Sequence, residues 1–233
     1  MAANKSEKPR RQRYTSPKGE SLFAHVVDVD YGTEQYPDPK GSYNITLALD
    51  ADDAAALDGL LADEVAQARA YADEKFEELK PAAKKKFGSA SFNEPGPEEY
   101  DREGNPTGRR LFRFKTAAFY EKRDGTRQQR RVPLFDAMQQ PVSLKEEPGN
   151  GSLIRVAFTA APYFVDGQGM GGLSLYLDAV QIIKLNKYGG RNAADYGFGA
   201  EDGGFCGDDT DAGNDASPAA APTSPVDADD VPF

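Results

Sequence analysis

Residues 50–80 break the rhythm of this chain. On either side apolar residues alternate with a period of two. Within the segment Leu57, Leu60, Leu61, Val65, Ala68, Ala72, Phe76 and Leu79 step by three and four. That spacing puts them on one helical face. Asp52 and Asp53 suit the helix N-terminus, where carboxylates meet the positive end of the dipole, and Pro81 limits the run. A chain that alternates throughout except for one helix after its second strand is mainly β, and few architectures accept that order.

The alternating segments are residues 22–29, 42–49, 109–120, 127–136, 152–161 and 173–185, with a short edge strand expected at 142–144. In the second, Tyr43, Ile45, Leu47 and Leu49 share one face. Asp124-Gly125 reads as a hairpin turn. Residues 87–108, rich in Pro and Gly, read as a long loop, and 166–172 as a glycine-rich turn. Five or more strands with one interposed helix suggest an OB-type barrel, with a β-sandwich as the rival. The usual OB helix lies between strands three and four, so an early helix is a departure.

From Tyr188 onward the chain turns to Gly, Ala, Asp, Pro, Ser and Thr. Such a segment buries too little apolar surface to offset its ordering entropy, so it is expected to be disordered. The expected organisation is a flexible basic arm at 1–18, a folded domain at 19–190, and an acidic tail at 191–233. Charge follows the same division. The formal net charge is −10, and residues 195–233 hold nine Asp and one Glu without a Lys or Arg. The remaining 28 acids therefore balance all 28 bases, and the body is free to carry basic patches.

One such patch is residues 102–131, with ten bases against three acids. Arg109, Arg113, Lys115, Lys122, Arg123, Arg127, Arg130 and Arg131 are candidate phosphate contacts, interleaved with Phe112, Phe114, Phe119 and Tyr120. Cations release counterions from a nucleic-acid backbone, and rings accept stacked bases. Phe112 and Phe114, alternating with the bases, are expected in the core. Lys40 and Tyr43 before one strand, and Tyr163 and Phe164 closing another, are candidates for flanking a cleft.

Other chemistry finds little support. A lone His25, a lone Cys206 and no Walker-type glycine motif leave no cofactor, metal centre or enzymatic activity to expect. Asp28, Asp30, Asp50, Asp52 and Asp53 are better explained as turn and cap residues than as metal ligands. No apolar stretch approaches the roughly 20 residues that span a bilayer, and no apolar segment follows the basic start, so neither a membrane span nor a secretory signal is expected. A single cysteine fits a reducing cytoplasm. The last residues, Asp229, Asp230, Val231, Pro232 and Phe233, place an aromatic ring and the α-carboxylate just after two carboxylates. That is the form of a peptide captured by its C-terminus.

The order of these features resembles the single-stranded-DNA-binding proteins of T7-like phages. Asp30-Tyr31-Gly32, the Pro-Lys-Gly-x-Tyr step at 39–43, Phe112-Arg113-Phe114-Lys115, Ala161-Pro162-Tyr163 and the alternating 173–185 carry the likeness. It implies an OB-fold with an early helix, sequence-independent single-strand binding, and support of replication, recombination and strand annealing. It implies further that Lys40 and Tyr163 lie at the DNA site, and that the chain is a homodimer in the host cytoplasm. The acidic tail is implied to engage the replicative polymerase and helicase–primase and to compete with DNA. The family carries a Trp two positions after that Tyr; here it is Val165. The final five residues are more similar to bacterial single-stranded-DNA-binding tails, which implies host proteins among the partners. From another class, the alternative is an acidic interaction protein, a DNA mimic or inhibitor that binds no DNA. A mimic is expected to spread acids over its folded surface, whereas here they collect in the tail.

Overall fold

A computed structural model describes residues 12–122 and 124–186. The acidic tail, residues 1–11 and Arg123 lie outside the described residues. In chain order the elements are β1 (Arg13–Thr15), β2 (Gly19–Gly32), β3 (Pro37–Leu49), α1 (Ala51–Glu77), α2 (Pro81–Phe87), β4 (Ser91–Asn93) and β5 (Glu98–Tyr100). There follow β6 (Pro106–Ala117), β7 (Phe119–Glu121), β8 (Arg127–Gln129), β9 (Leu134–Phe135), β10 (Pro141–Val142), β11 (Leu153–Val165) and β12 (Met170–Lys184).

Five long strands close a barrel. β2 pairs with β3, β3 with β6, β6 with β12, β12 with β11, and β11 returns to β2. All these pairings are antiparallel except β6 with β12, where Leu175 stands opposite Phe114 in parallel. Closure is what a sandwich lacks, and this is the expected OB-type barrel with its helix after the second long strand.

Alternation fills the barrel. Tyr43, Ile45, Leu47 and Leu49 of β3, Phe112 and Phe114 of β6, and Ile154, Val156 and Phe158 of β11 are almost wholly buried. Phe114 and Phe158 meet with ring centroids 4.9 Å apart. Each such side chain is worth about 1.5–3 kcal/mol when taken out of water, so a one-residue slip of β6 that exposed Phe112 and Phe114 is strongly resisted.

The inserted helix α1 closes one side. Asp50 caps it, its carboxylate accepting from the Asp53 amide at 2.9 Å. Ala54, Leu57, Leu61, Ala68, Ala72 and Phe76 form its buried face, which packs chiefly on β11 and β12. Leu60, expected on that face, is half exposed. Among the described residues no helix is long and apolar enough to cross a membrane.

Three expectations need correcting. The basic arm is ordered from Arg13 onward: β1 pairs with β11, and the Tyr14 ring stacks on Phe158. The loop at 87–108 contains β4, which adds to β12, and β5, which adds to β6. The partner strand expected at 127–136 is split. β8 pairs with β7 in a separate small hairpin, and β9 joins β12.

Tyr14 also donates a hydrogen bond to Glu64 of α1 at 2.9 Å. Burial, and then that bond to a carboxylate, push its hydroxyl up to about 12. The folded state thus holds this proton longer than the unfolded chain does. The stabilisation is present below about pH 10 and is lost as pH rises from there through about 12. In a phenolate-absorbance titration, the difference between wild type and Tyr14→Phe is expected to ionise late. A Tyr14 signal at the ordinary tyrosine value in the folded chain contradicts the assignment.

Candidate nucleic-acid interface

The outer face of the barrel over β2, β3, β6 and β12 is polar, because every residue pointing inward is matched by a neighbour pointing out. On β6 this leaves Arg113, Lys115 and Ala117 exposed between buried Phe112, Phe114 and Thr116. Register places Asn44 beside Lys115 on one side and His25 on the other, with Thr46 beside Arg113. On β12, Ser174 and Tyr176 occupy the matching outward positions.

Three connected hollows run along this face. The first, of about 640 Å³, lies between β3 and the β7–β8 hairpin and is lined by Lys40, Phe119, Tyr120 and Arg127. The second, of about 400 Å³, shares Lys40 and Ala117 with it and adds Asp38, Arg113, Lys115 and Tyr176. The third, of about 360 Å³, shares Arg113 and is walled by Asn93, Pro95 and Pro97. Together they form one groove crossing the barrel, with Lys40, Arg113, Lys115 and Arg127 along its length.

Local contacts hold two of these cations, Arg127 and Lys115. Arg127 lies 4.0 Å over the Phe119 ring and donates to the Lys40 carbonyl at 3.3 Å. Lys115 pairs with Asp38 at 3.0 Å, and that hydrogen bond holds the Asp38 carboxyl below its usual range. Asp30 accepts from the Gly32 amide and the Asn44 side chain, both at 2.7 Å. Burial works against its charge, but these bonds, with His25 and Lys115 nearby, hold its carboxyl low as well. Asp30 and Asp50 thus serve as the turn and cap residues the sequence suggested.

At the far end stands Tyr163. Its ring lies over Gly172, where a Cβ would come within 2.6 Å of the hydroxyl, so only glycine leaves room. The hydroxyl accepts from Asn93 at 3.1 Å, tying the ring to the wall of the third hollow. Val165, two residues on, is partly exposed and has no ring to add.

Several candidate residues lie elsewhere. Tyr43 is 1 % exposed, packed inside with Ile45 and Leu47, its hydroxyl accepting from Gln129 at 3.0 Å; it has no face for a base. Phe164 stands opposite Gly171, whose α-carbon faces Ala72 of α1, so it belongs to the helix side of the sheet. Arg109 is taken up by two carboxylates, binding Glu99 through two nitrogens at 2.7 and 2.9 Å and Glu20 at 2.7 Å. Arg131 lines a different hollow with Val26, Val132 and Leu134. Lys122 is exposed at the tip of the β7–β8 hairpin, and Arg130 rests 5.7 Å over Tyr120, both beside the groove rather than in its lining. Arg123 and the terminal Asp229, Asp230, Val231, Pro232 and Phe233 lie outside the described residues. Sequence reasoning missed Tyr176, although the alternation of Leu173, Leu175 and Leu177 already turned it outward. Asn93 gives no such signal, because β4 lies in a stretch rich in Pro and Gly.

The chain is similar to known phage proteins. It is 26% identical over 206 residues to the single-stranded DNA-binding protein of Enterobacteria phage T3, covering 84% of this chain and 86% of that protein. The crystal structure of the single-stranded DNA binding protein encoded by bacteriophage T7 superposes with a TM-score of 0.62. That match covers 84% of this chain and 99% of the T7 chain at 19% identity, and so shows a shared fold. The profile of the family described as single-stranded DNA-binding protein, bacteriophage T7, matches residues 19–185, and on that match the chain belongs to this family.

Proposed function

We propose that this chain binds single-stranded DNA without sequence preference, with the strand lying along the groove from the β7–β8 hairpin past Lys40, Lys115 and Arg113 to Tyr163. The observation that carries this reading is the alignment of four cations with aromatic rings in one continuous groove. Cations spaced along a groove neutralise phosphates, and rings accept any base, which is the chemistry of sequence-tolerant binding. Salt-dependent gel shift on oligo(dT) against duplex tests it. Absence of salt-sensitive single-strand binding defeats the reading and favours an acidic inhibitor.

On the same reading, residues 19–190 are the binding domain, and the protein supports replication, recombination and strand annealing as a homodimer in the host cytoplasm. Residues 191–233 recruit the replicative polymerase, the helicase–primase and host proteins that read bacterial-type tails. Deleting Val231 to Phe233 is expected to abolish pull-down of those proteins; unchanged pull-down sinks the docking role.

Asp38 competes with phosphate for Lys115. Asp38→Asn removes that carboxylate from the groove, and an exposed pair of this kind is worth up to about 1 kcal/mol. Affinity for oligo(dT) is expected to rise by about two- to fivefold, as read by fluorescence anisotropy at low salt. A fall in affinity contradicts the competition.

A further inference from the structure

The β2–β3 hairpin carries a ring to which no role has been assigned. Tyr31 is 53 % exposed, yet it is seated. Gly41 has φ +69°, a conformation that favours glycine, and a Cβ there would come within 3.0 Å of Tyr31 Cε1 and 3.4 Å of Cδ1. The main chain at Gly41 therefore runs against one side of the ring, while the rest of the ring faces solvent.

That seat borders the groove, although Tyr31 itself lines none of its three hollows. Gly41 lines the central hollow together with Lys40 and Lys115. Other rings along the groove have side-chain partners of their own. Phe119 carries the Arg127 guanidinium, Tyr120 carries that of Arg130, and Tyr163 is held through its hydroxyl by Asn93. Tyr31 instead presents an aromatic surface beside a lysine, fixed in position by backbone.

We propose that Tyr31 is a base-stacking platform at the border of the groove, receiving a nucleobase on its open surface while Lys40 meets an adjoining phosphate. The inference rests on the single-strand reading above and deepens it, supplying a stacking ring in a chain whose position 165 has none. Every base has a π-face, so a platform here adds affinity without sequence preference.

The test is anisotropy of the full-length chain with oligo(dT) and with an abasic oligonucleotide of the same length, which keeps the phosphates and removes the bases. Tyr31→Ala is expected to weaken oligo(dT) binding about tenfold, and Tyr31→Phe to recover it to within about twofold. On the abasic strand Tyr31→Ala and wild type are expected to bind alike, and the salt slope is expected to be unchanged on both. If wild type binds oligo(dT) and Tyr31→Ala binds it equally well, the platform is overturned while the single-strand reading stands. Equal losses on both strands also overturn it, because they assign Tyr31 to hairpin structure. Failure of the wild type to bind oligo(dT) defeats the single-strand reading and the platform with it.

Discussion

Replacing Arg113 and Lys115 together with alanine is expected to lower oligo(dT) affinity roughly 25-fold at 0.1 M salt. The estimate follows from counterion release. Each phosphate contact on a single strand contributes about 0.7 to the slope of log affinity against log salt, so losing two contacts lowers the slope by about 1.4. Both side chains point outward from β6 between buried phenylalanines, and substitutions at exposed positions usually change stability by no more than about 0.5 kcal/mol. The loss is therefore expected without a change in thermal midpoint. Arg109→Ala is the control. It lies on the same strand, but its charge is committed to Glu99 and Glu20, so its slope is expected to match wild type. A loss with Arg109→Ala equal to that of the double variant moves the DNA path off the groove.

The contrast between Arg109 and Arg113 shows how far the sequence reaches. Alternation along β6 separated core phenylalanines from outward cations, and the structure keeps that division. It did not reveal which outward cations are free. Arg109 is neutralised by Glu99 of β5, a strand hidden in a Pro- and Gly-rich stretch, and by Glu20 of β2, 89 residues away.

Tyr43 teaches the converse. Its parity with Ile45, Leu47 and Leu49 places it on the buried face, and its position at a strand end does not override that parity. The helix and the long strands were legible because their signal is periodic and local. β4 and β9 are three and two residues long and exist through pairing with the distant β12, so no local pattern announces them. The two ends of the groove are lined from short strands, β4 at one and the β7–β8 hairpin at the other. Lys40 and Tyr163 stand out at strand ends and again in the family likeness, whereas the place of Tyr31 beside Gly41 and of Tyr176 in the central hollow follows only from the barrel.

Glu147→Ala is expected to destabilise the fold by about 2–3 kcal/mol although Glu147 lies in a connecting segment between β10 and β11. Its carboxylate accepts from three successive amides of β2: Val26 at 2.8 Å, Val27 at 3.0 and 3.1 Å, and Asp28 at 2.8 Å. Regular strand geometry turns successive amides to opposite edges. Here the β2–β3 register shifts between His25 and Asp30, and β2 meets β11 only at Gly19 and Glu20. One side chain from 119–121 residues away thus satisfies donors that the ladders leave. Removing it strands the Val26 amide at a residue only 3 % exposed, where water reaches poorly. Glu147→Gln keeps one acceptor oxygen and is expected to cost about half as much. Urea unfolding is expected to show a lower midpoint at unchanged slope, and hydrogen exchange to show Val26 and Val27 losing protection. The same β2 segment leads directly into Asp30 and Tyr31. Loosening it is expected to weaken oligo(dT) binding while leaving the salt slope intact, because no phosphate contact is removed. An unchanged urea midpoint with unchanged exchange at Val26 shows that these bonds do not anchor the strand.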